Sequence, residues 1–520
     1  MRKIFLLVAV FTSALVSYAE IKMASIFDNN MMFQQDKKII IWGRGTPKAE
    51  VSAEFDGKKS KTKVTARGNW VIHFPAQKGS FDAKTLKIFE NGKHAKTFKN
   101  ILVGEVWIAG GQSNMARPVK GTLAEKQAIA NATKLNGKIR YFSQPIRQES
   151  RVQNFDFPKE SKWVIINGQN VEKMSGVGYY FAERLLEELN VPVGIIFAAQ
   201  GASRMCTWTS KEELLKDGPN QAYYKDFFEK LKTWDADYPK AVEAHKEKMK
   251  KLAEAEKLAK AGKGEMPKVA WYEKVKPSRL SPEPHFNAPS LNYNAKVFPL
   301  RNFITRGVIW YQGEADSIDI LVPYFSDNFK RVVDTWRKRM VNPELPFLQV
   351  QLASYEIDRD WARARQAQFE NTKRLKNVYM ASVIDYGEQN DIHPRDKLLV
   401  GDRLVKLALE KIYRKKGAVG SGAEVAWVDF FGNSAVVKFN TFGGGLVGKG
   451  NPRGFEVLVD GKWQQASAQL KGDKVVVLAD ADIKGVRYLW KNWAQPDVWL
   501  FSKNGIPAIP FYEVKKFKEQ

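Results

Sequence analysis

The segment Val106-Trp107-Ile108-Ala109-Gly110-Gly111-Gln112-Ser113-Asn114-Met115 runs an apolar strand into two glycines and delivers a serine at the turn. A nucleophilic serine needs that placement. At the carboxyl end of a strand its hydroxyl projects into the crevice above a sheet, and a helix that follows aims backbone N–H groups at developing negative charge. The segment reads Gly111-x-Ser113-x-Met115, so it is not the G-x-S-x-G elbow of α/β-hydrolases. A strand-to-helix turn with an ordinary capping serine would look the same locally. A distant histidine separates the two readings. Of the five histidines, only His393 follows the last sheet strand, in Asn390-Asp391-Ile392-His393-Pro394. Asp391 is the nearest acceptor for its second ring nitrogen, the contact that holds a base histidine in its working tautomer. Two further strand ends offer oxyanion donors: Gly201, in Phe197-Ala198-Ala199-Gln200-Gly201-Ala202-Ser203, and the side chain of Gln312, in Tyr311-Gln312-Gly313-Glu314. These groups, each following a strand of one α/β unit, point to acyl transfer through Ser113. The chain has no H-E-x-x-H and no Cys/His cluster, which argues against a zinc hydrolase; neither metal nor cofactor is expected.

The elements that must hold these groups are legible as changes of pattern. At 520 residues, two or three domains are expected. Residues 1–19 read as a secretory signal: Arg2 and Lys3, an apolar run from Ile4 to Val16, and Ser17-Tyr18-Ala19 as the cleavage site. A secreted or periplasmic location follows, with no membrane span once the signal is removed. Residues 20–100 read as a β-sandwich, with Ala49, Val51, Ala53 and Phe55 alternating along one strand before the Asp56-Gly57 turn. From 101 to 415 strands alternate with helices: Val103–Ala109, Val193–Ala198, Gly307–Tyr311, Pro346–Val350 and Val378–Ile384 are the strands, and Ser175 caps an amphipathic helix. The natural packing is a parallel sheet covered on both faces. This rhythm stops between about 211 and 285, where Lys240–Lys263 reads as a solvated inserted helix. Residues 416–520 return to short strands and turns.

These residues carry a family resemblance. The stretch from Val106 to Met115, Pro289-Ser290-Leu291-Asn292-Tyr293-Asn294-Ala295 with Pro299-Leu300, Trp310-Tyr311-Gln312-Gly313-Glu314, Asp391-Ile392-His393-Pro394 and Gly443-Gly444-Gly445-Leu446 together resemble the bacterial sialate O-acetylesterase family of SGNH-type carbohydrate esterases. The resemblance implies a three-layer SGNH-like core. It implies Ser113 as nucleophile, His393 as base, and the Ser113 N–H, the Gly201 N–H and the Gln312 side chain as oxyanion donors. Asp391 stands one residue closer to the histidine than the D-x-x-H spacing common in SGNH enzymes, so a triad and a serine–histidine dyad both remain open. Ala202-Ser203-Arg204-Met205-Cys206 replaces the usual second glycine and its polar followers. Gln112, Asn114, Arg204, Glu314 and Arg365 are candidate substrate contacts.

The implied activity is hydrolysis of O-acetyl groups on carbohydrate, with O-acetylated sialic acids as the expected substrate. Acetylxylan or another glycan is the alternative within that class. A non-catalytic glycan-binding protein, stacking sugars on Trp42, Trp70, Trp463 and Trp493, is the alternative from another class. The formal charge of +26 suits an anionic partner, but the lysines are spread along the chain without an arginine-rich block, so a nucleic-acid partner is not expected. Cys206 is the single cysteine, which excludes an intrachain disulfide.

Overall fold

A computed structural model describes residues 21–269, 271–448 and 452–515. The signal segment read at residues 1–19 lies outside the described residues.

The middle of the chain is organised by one sheet. Its strands are β1 (Lys93–Gly111), β2 (Ile139–Ser143), β3 (Lys162–Ile165), β4 (Val193–Ala199), β5 (Gly307–Tyr311), β6 (Phe347–Val350) and β7 (Val378–Ala381), in the spatial order β3-β2-β4-β1-β5-β6-β7. All neighbours are parallel except β3, which pairs antiparallel with β2 at the edge. That edge departs from the fully parallel sheet expected. The chain returns from β2 to β3 without the crossover helix that a parallel neighbour requires.

Successive side chains of a strand point to opposite faces. In β1, Val106 and Ile108 enter one core, while Trp107 and Ala109 enter the other. The helices α1 (Gly176–Leu189), α2 (Phe325–Arg339), α3 (Trp361–Arg374) and α4 (Lys397–Lys411) cover both faces. Tyr180 and Leu185 of α1 and Val400 and Leu404 of α4 pack with Trp107, while Phe329 and Trp336 of α2 and Trp361 and Ala364 of α3 pack with Val106. Burial on both faces explains why β4 is apolar without interruption, with every residue buried. Ser175 caps α1 by accepting the Gly178 N–H at 3.1 Å.

The amino-terminal β region is continuous with this sheet. Strands Glu50–Phe55, Lys58–Lys63 and Ser80–Glu90 lead into the first half of β1, and Lys22–Met23, Ile39–Arg44 and Asn69–Phe74 form a facing sheet. A boundary near residue 100 therefore falls inside one strand. Phe33 links the two regions, packing on Phe55 at 5.5 Å and on Phe303 at 6.2 Å. Trp42 and Trp70, considered as sugar platforms, are buried in this core.

The inserted helix is longer than its charge pattern suggested and spans Gln221–Lys260. Pro239 lies inside it, exposed to solvent, where water can take the carbonyl that proline leaves unpaired. Tyr224, Phe227 and Phe228 anchor its first half against Leu214, Ala288 and Leu291. After α4 come two four-stranded sheets, one of Glu424–Phe431, Ser434–Asn440, Ser467–Lys471 and Lys474–Leu478, the other of Phe455–Val459, Lys462–Gln465, Gly485–Tyr488 and Phe511–Val514. Val437, Phe439, Phe455, Val477 and Tyr488 share their core. No helix among the described residues is long and apolar enough to cross a membrane.

Candidate active site

Backbone geometry places Ser113. At the end of β1, Gly111 has φ +134°, and a Cβ there would lie 2.1 Å from the Tyr311 carbonyl oxygen, so only glycine fits. Gln112 precedes the single helical turn Ser113–Ala116. The first N–H groups of a helix have no acceptor within it. Gly201, just past β4, lies beside the serine: a Cβ on it would make ordinary contact with Ser113 Cβ, at 3.8 Å. Among the described residues, neither the Ser113 N–H nor the Gly201 N–H donates to another backbone group. Ala202 takes the left-handed conformation, φ +59°, at the position where a glycine would carry no steric cost.

His393 reaches Ser113 from the loop after β7. Its Nε2 lies 2.9 Å from Ser113 Oγ. Two groups converge on Nδ1: Asp391 Oδ1 at 3.5 Å and Arg117 Nη2 at 3.2 Å. Asp391 Oδ1 also accepts the backbone N–H of His393 at 2.8 Å, which fixes the loop. Asp391 favours a proton on Nδ1, leaving Nε2 free to take the serine proton; the Arg117 donor opposes that tautomer. Burial, followed by the nearby Arg117 charge, holds the imidazole below the ordinary histidine range, against the opposing pull of Asp391.

A buried polar network joins the serine turn to the histidine loop. Asn114 Nδ2 donates to Glu314 Oε1 at 2.6 Å and to the Ile392 carbonyl at 2.9 Å, and its Oδ1 accepts from Lys397 Nζ at 2.6 Å. Burial pushes the Lys397 ammonium down to about 7, and burial likewise raises the Glu314 carboxyl. Lys397 escaped the sequence reading because it opens α4 with no motif around it.

Ser113 and His393 border a cavity of about 890 Å³. Gln112, Gly201, Arg204 and Glu314 also line it, whereas Asn114, Gln312 and Arg365 do not. Three candidate residues have other partners in the structure. Asn114, read as a substrate contact, is buried and bonds Glu314, the Ile392 carbonyl and Lys397. Gln312, read as an oxyanion donor, is buried and spends its amide on the Ser203 carbonyl at 3.1 Å and on Asp316 at 2.5 Å. Arg365, read as a substrate contact, is 1 % exposed and donates to the carbonyls of Leu352, Ala353, Lys491 and Asn492. It staples α3 to the carboxyl-terminal β region, a role that an isolated arginine on a helix does not announce in sequence.

The sequence reading did not find several wall residues. Arg147, His285, Asp319, Asp358 and Arg359 all line the cavity. Burial lowers the His285 imidazole. Among the described residues, no carboxylate forms an ion pair with Arg147 or Arg204. The stretch 289–296 clamps two of these walls. Asn294 Nδ2 donates to the Ser150 and Arg151 carbonyls, Asn292 Nδ2 to Thr207 Oγ1, and Lys296 Nζ to the Ile146 carbonyl at 2.5 Å. A third wall is held from the carboxyl-terminal region, where Asn492 Nδ2 donates to the Ile357 and Arg359 carbonyls at 2.6 and 2.8 Å. Among the described residues, no grouping of three or more His, Cys, Asp or Glu side chains is placed to ligate a metal ion.

Residues 103–255 and 284–409 match the family model described as carbohydrate esterase, sialic acid-specific acetylesterase. The matched segments contain Ser113, Gly201, Glu314 and His393, and the gap between them falls in the insertion. The molecule is a carboxylic ester hydrolase. Because the match extends over more than half of its length, the chain belongs to the carbohydrate esterase, sialic acid-specific acetylesterase family. It is 23% identical to the sialate O-acetylesterase of Mus musculus, over 94% of each chain. It is also 23% identical to that of Homo sapiens, over 94% of this chain and 92% of the human one. A solved carbohydrate acetylesterase from Xanthomonas citri superposes with a TM-score of 0.77 at 26% identity, covering 95% of this chain and all of that one.

Proposed function

We propose that this protein is a secreted or periplasmic serine esterase that removes O-acetyl groups from sialic acids, on an SGNH-type core. The observation that carries the chemistry is Ser113 Oγ at 2.9 Å from His393 Nε2, at the edge of the cavity. His393 takes the serine proton as Oγ bonds to the acetyl carbon and the carbonyl electron pair moves onto oxygen. The Ser113 and Gly201 N–H groups receive that oxyanion. The tetrahedral adduct collapses, the C–O bond to the sugar breaks, and His393 returns the proton to the leaving sugar oxygen. Water, deprotonated by His393, then releases acetate and free Ser113. Asp391 steadies the imidazolium as the third member of a triad.

The names of the mammalian relatives and the arginines of the cavity support sialic acid as substrate. Arg204 is the candidate partner for its carboxylate, since a guanidinium binds a carboxylate through two parallel hydrogen bonds. Asp319 and Asp358, which also line the cavity, favour a second reading, in which the substrate is a neutral acetylated glycan such as acetylxylan. Acetate release from O-acetylated sialic acid and from acetylated xylan, compared by kcat/KM, decides between them. The sialate reading expects preference for the anionic sugar, lost on esterifying its carboxylate or in Arg204→Ala. Equal rates on both substrates would remove that reading and leave the esterase standing.

A further inference from the structure

With Gln312 committed elsewhere, two backbone N–H groups remain beside Ser113, and a third donor lies next to it in the chain. Gln112 is 3 % exposed and lines the cavity. Its Oε1 accepts the backbone N–H of Ala315 at 3.2 Å and that of Gly313 at 3.5 Å. Those donors fix which way the amide faces, because an N–H cannot point at an NH₂ group. Nε2 is thereby turned to the other side. Among the described residues no group accepts from it, yet it is not among the buried polar atoms sealed away without a partner. It therefore has solvent access, and the space beside Gln112 is the cavity.

We propose that the Gln112 side-chain N–H completes the oxyanion hole with the N–H groups of Ser113 and Gly201. This assignment rests on Ser113 being the nucleophile. Its physical basis is preorganisation. The two backbone N–H groups bonded to Oε1 hold the amide before substrate arrives, so no reorientation is required when charge develops on the carbonyl oxygen. The amides of Asn114 and Gln312, nearest in the two turns, are committed elsewhere. Asn114 Nδ2 serves Glu314 and Ile392, and Gln312 Nε2 serves Ser203 and Asp316. Gln112 thus has two separable functions, with Oε1 bracing the loop after β5 and Nε2 facing the reacting oxygen.

The separation makes the proposal testable with Gln112→Glu. The carboxylate keeps both acceptor bonds to the loop but has no donor for the oxyanion. With a small aryl acetate at neutral pH, kcat should fall by about 10²–10³-fold while KM changes little. As pH falls and the new carboxyl regains a proton, its rate relative to wild type should recover. Gln112→Met should show the kcat loss without that recovery. If Gln112→Met does not fold, Gln112→Glu alone decides. A Gln112→Glu turnover within about threefold of wild type, a loss confined to KM, or a loss unchanged across pH would overturn the donor role. Ser113→Ala in the same assay separates the two assignments. An inactive Ser113→Ala beside an unimpaired Gln112→Glu removes only the donor, whereas an active Ser113→Ala removes the nucleophile and the donor together.

Discussion

The serine side of the cavity and its outer walls are built in different ways. Around Ser113 the positioning is made mainly by close backbone packing: Gly111 allows β1 to turn against Tyr311 and Gly201 lies beside the serine, with the Asn114 side chain tying the turn to the Ile392 carbonyl. The walls are held from a distance by side chains. Asn294 and Lys296 grip the 146–151 loop, and Asn492 grips the loop carrying Arg359 from beyond α4. The proposed nucleophile thus sits on an element that cannot move without breaking the sheet, with the His393 loop tied to it through Asn114. The proposed recognition surface is made of loops braced with a few hydrogen bonds. Changes in the first group should strike turnover, and changes in the second should strike substrate selection.

The largest expected effects fall on the serine side. Ser113→Ala and His393→Ala should each lower turnover of a simple acetyl ester by about 10⁴–10⁶-fold with unchanged thermal melting. Retention of more than a tenth of wild-type turnover by either variant would mean that the serine side does not hold the chemistry. The pH profile gives a finer measure. His393 must be neutral to act as base, and its imidazole is held low, so the acid limb of kcat/KM should lie below the ordinary histidine range. Asp391 stabilises the charged form and Arg117 the neutral one, with Lys397 adding to the effect of Arg117. Asp391→Asn should therefore shift the limb further to acid and slow turnover, whereas Arg117→Met should shift it upward. Limbs that coincide in all three proteins would show that neither group sets the base.

The wall side predicts a different signature. Asn492→Ala removes two donors from the loop bearing Arg359 and should raise KM for an acetylated glycan by about tenfold, the equivalent of roughly one net hydrogen bond. Turnover of a small aryl acetate should be unaffected, and equal losses on both substrates would erase the distinction between floor and wall. Gln312 tests it from the opposite direction. Losing its amide leaves the Ser203 carbonyl without that donor and the buried Asp316 with the Met205 N–H alone, so Gln312→Ala should destabilise by about 1–3 kcal/mol in denaturant unfolding. Its kcat loss, measured on folded protein, should be smaller than that of Gln112→Glu. The reverse order would return the oxyanion role to Gln312.

What the sequence revealed follows the same division. The end of β1 from Val106, and all of β4 and β5, are buried on both faces and read as unbroken apolar runs, so the turns after β1 and β4, with Ser113 and Gly201, stand out. β3 does not, because four residues at an antiparallel edge carry little pattern. The inserted helix is read from Lys240 onward on its Lys/Glu/Ala pattern; its first half, from Gln221, carries the aromatic anchor instead of that pattern. Gln312 and Arg365 have the right chemistry for the site, but each is held by carbonyls from other segments, Ser203 for Gln312 and Lys491 and Asn492 for Arg365. Spacing along the chain carries no signal for such tertiary partners. The same holds for Lys397, Arg147 and Arg359, which reach the site through folding alone.

The account's central claim is that Ser113 carries the acetyl group during the reaction. Mass spectrometry of enzyme quenched during turnover of an aryl acetate tests it most directly. The account predicts one acetyl group on the peptide containing Ser113 in the wild-type protein, increased in a variant slow to deacylate and absent from Ser113→Ala. Continued acetate release by Ser113→Ala, with no acetylated peptide at that position in either protein, would contradict it.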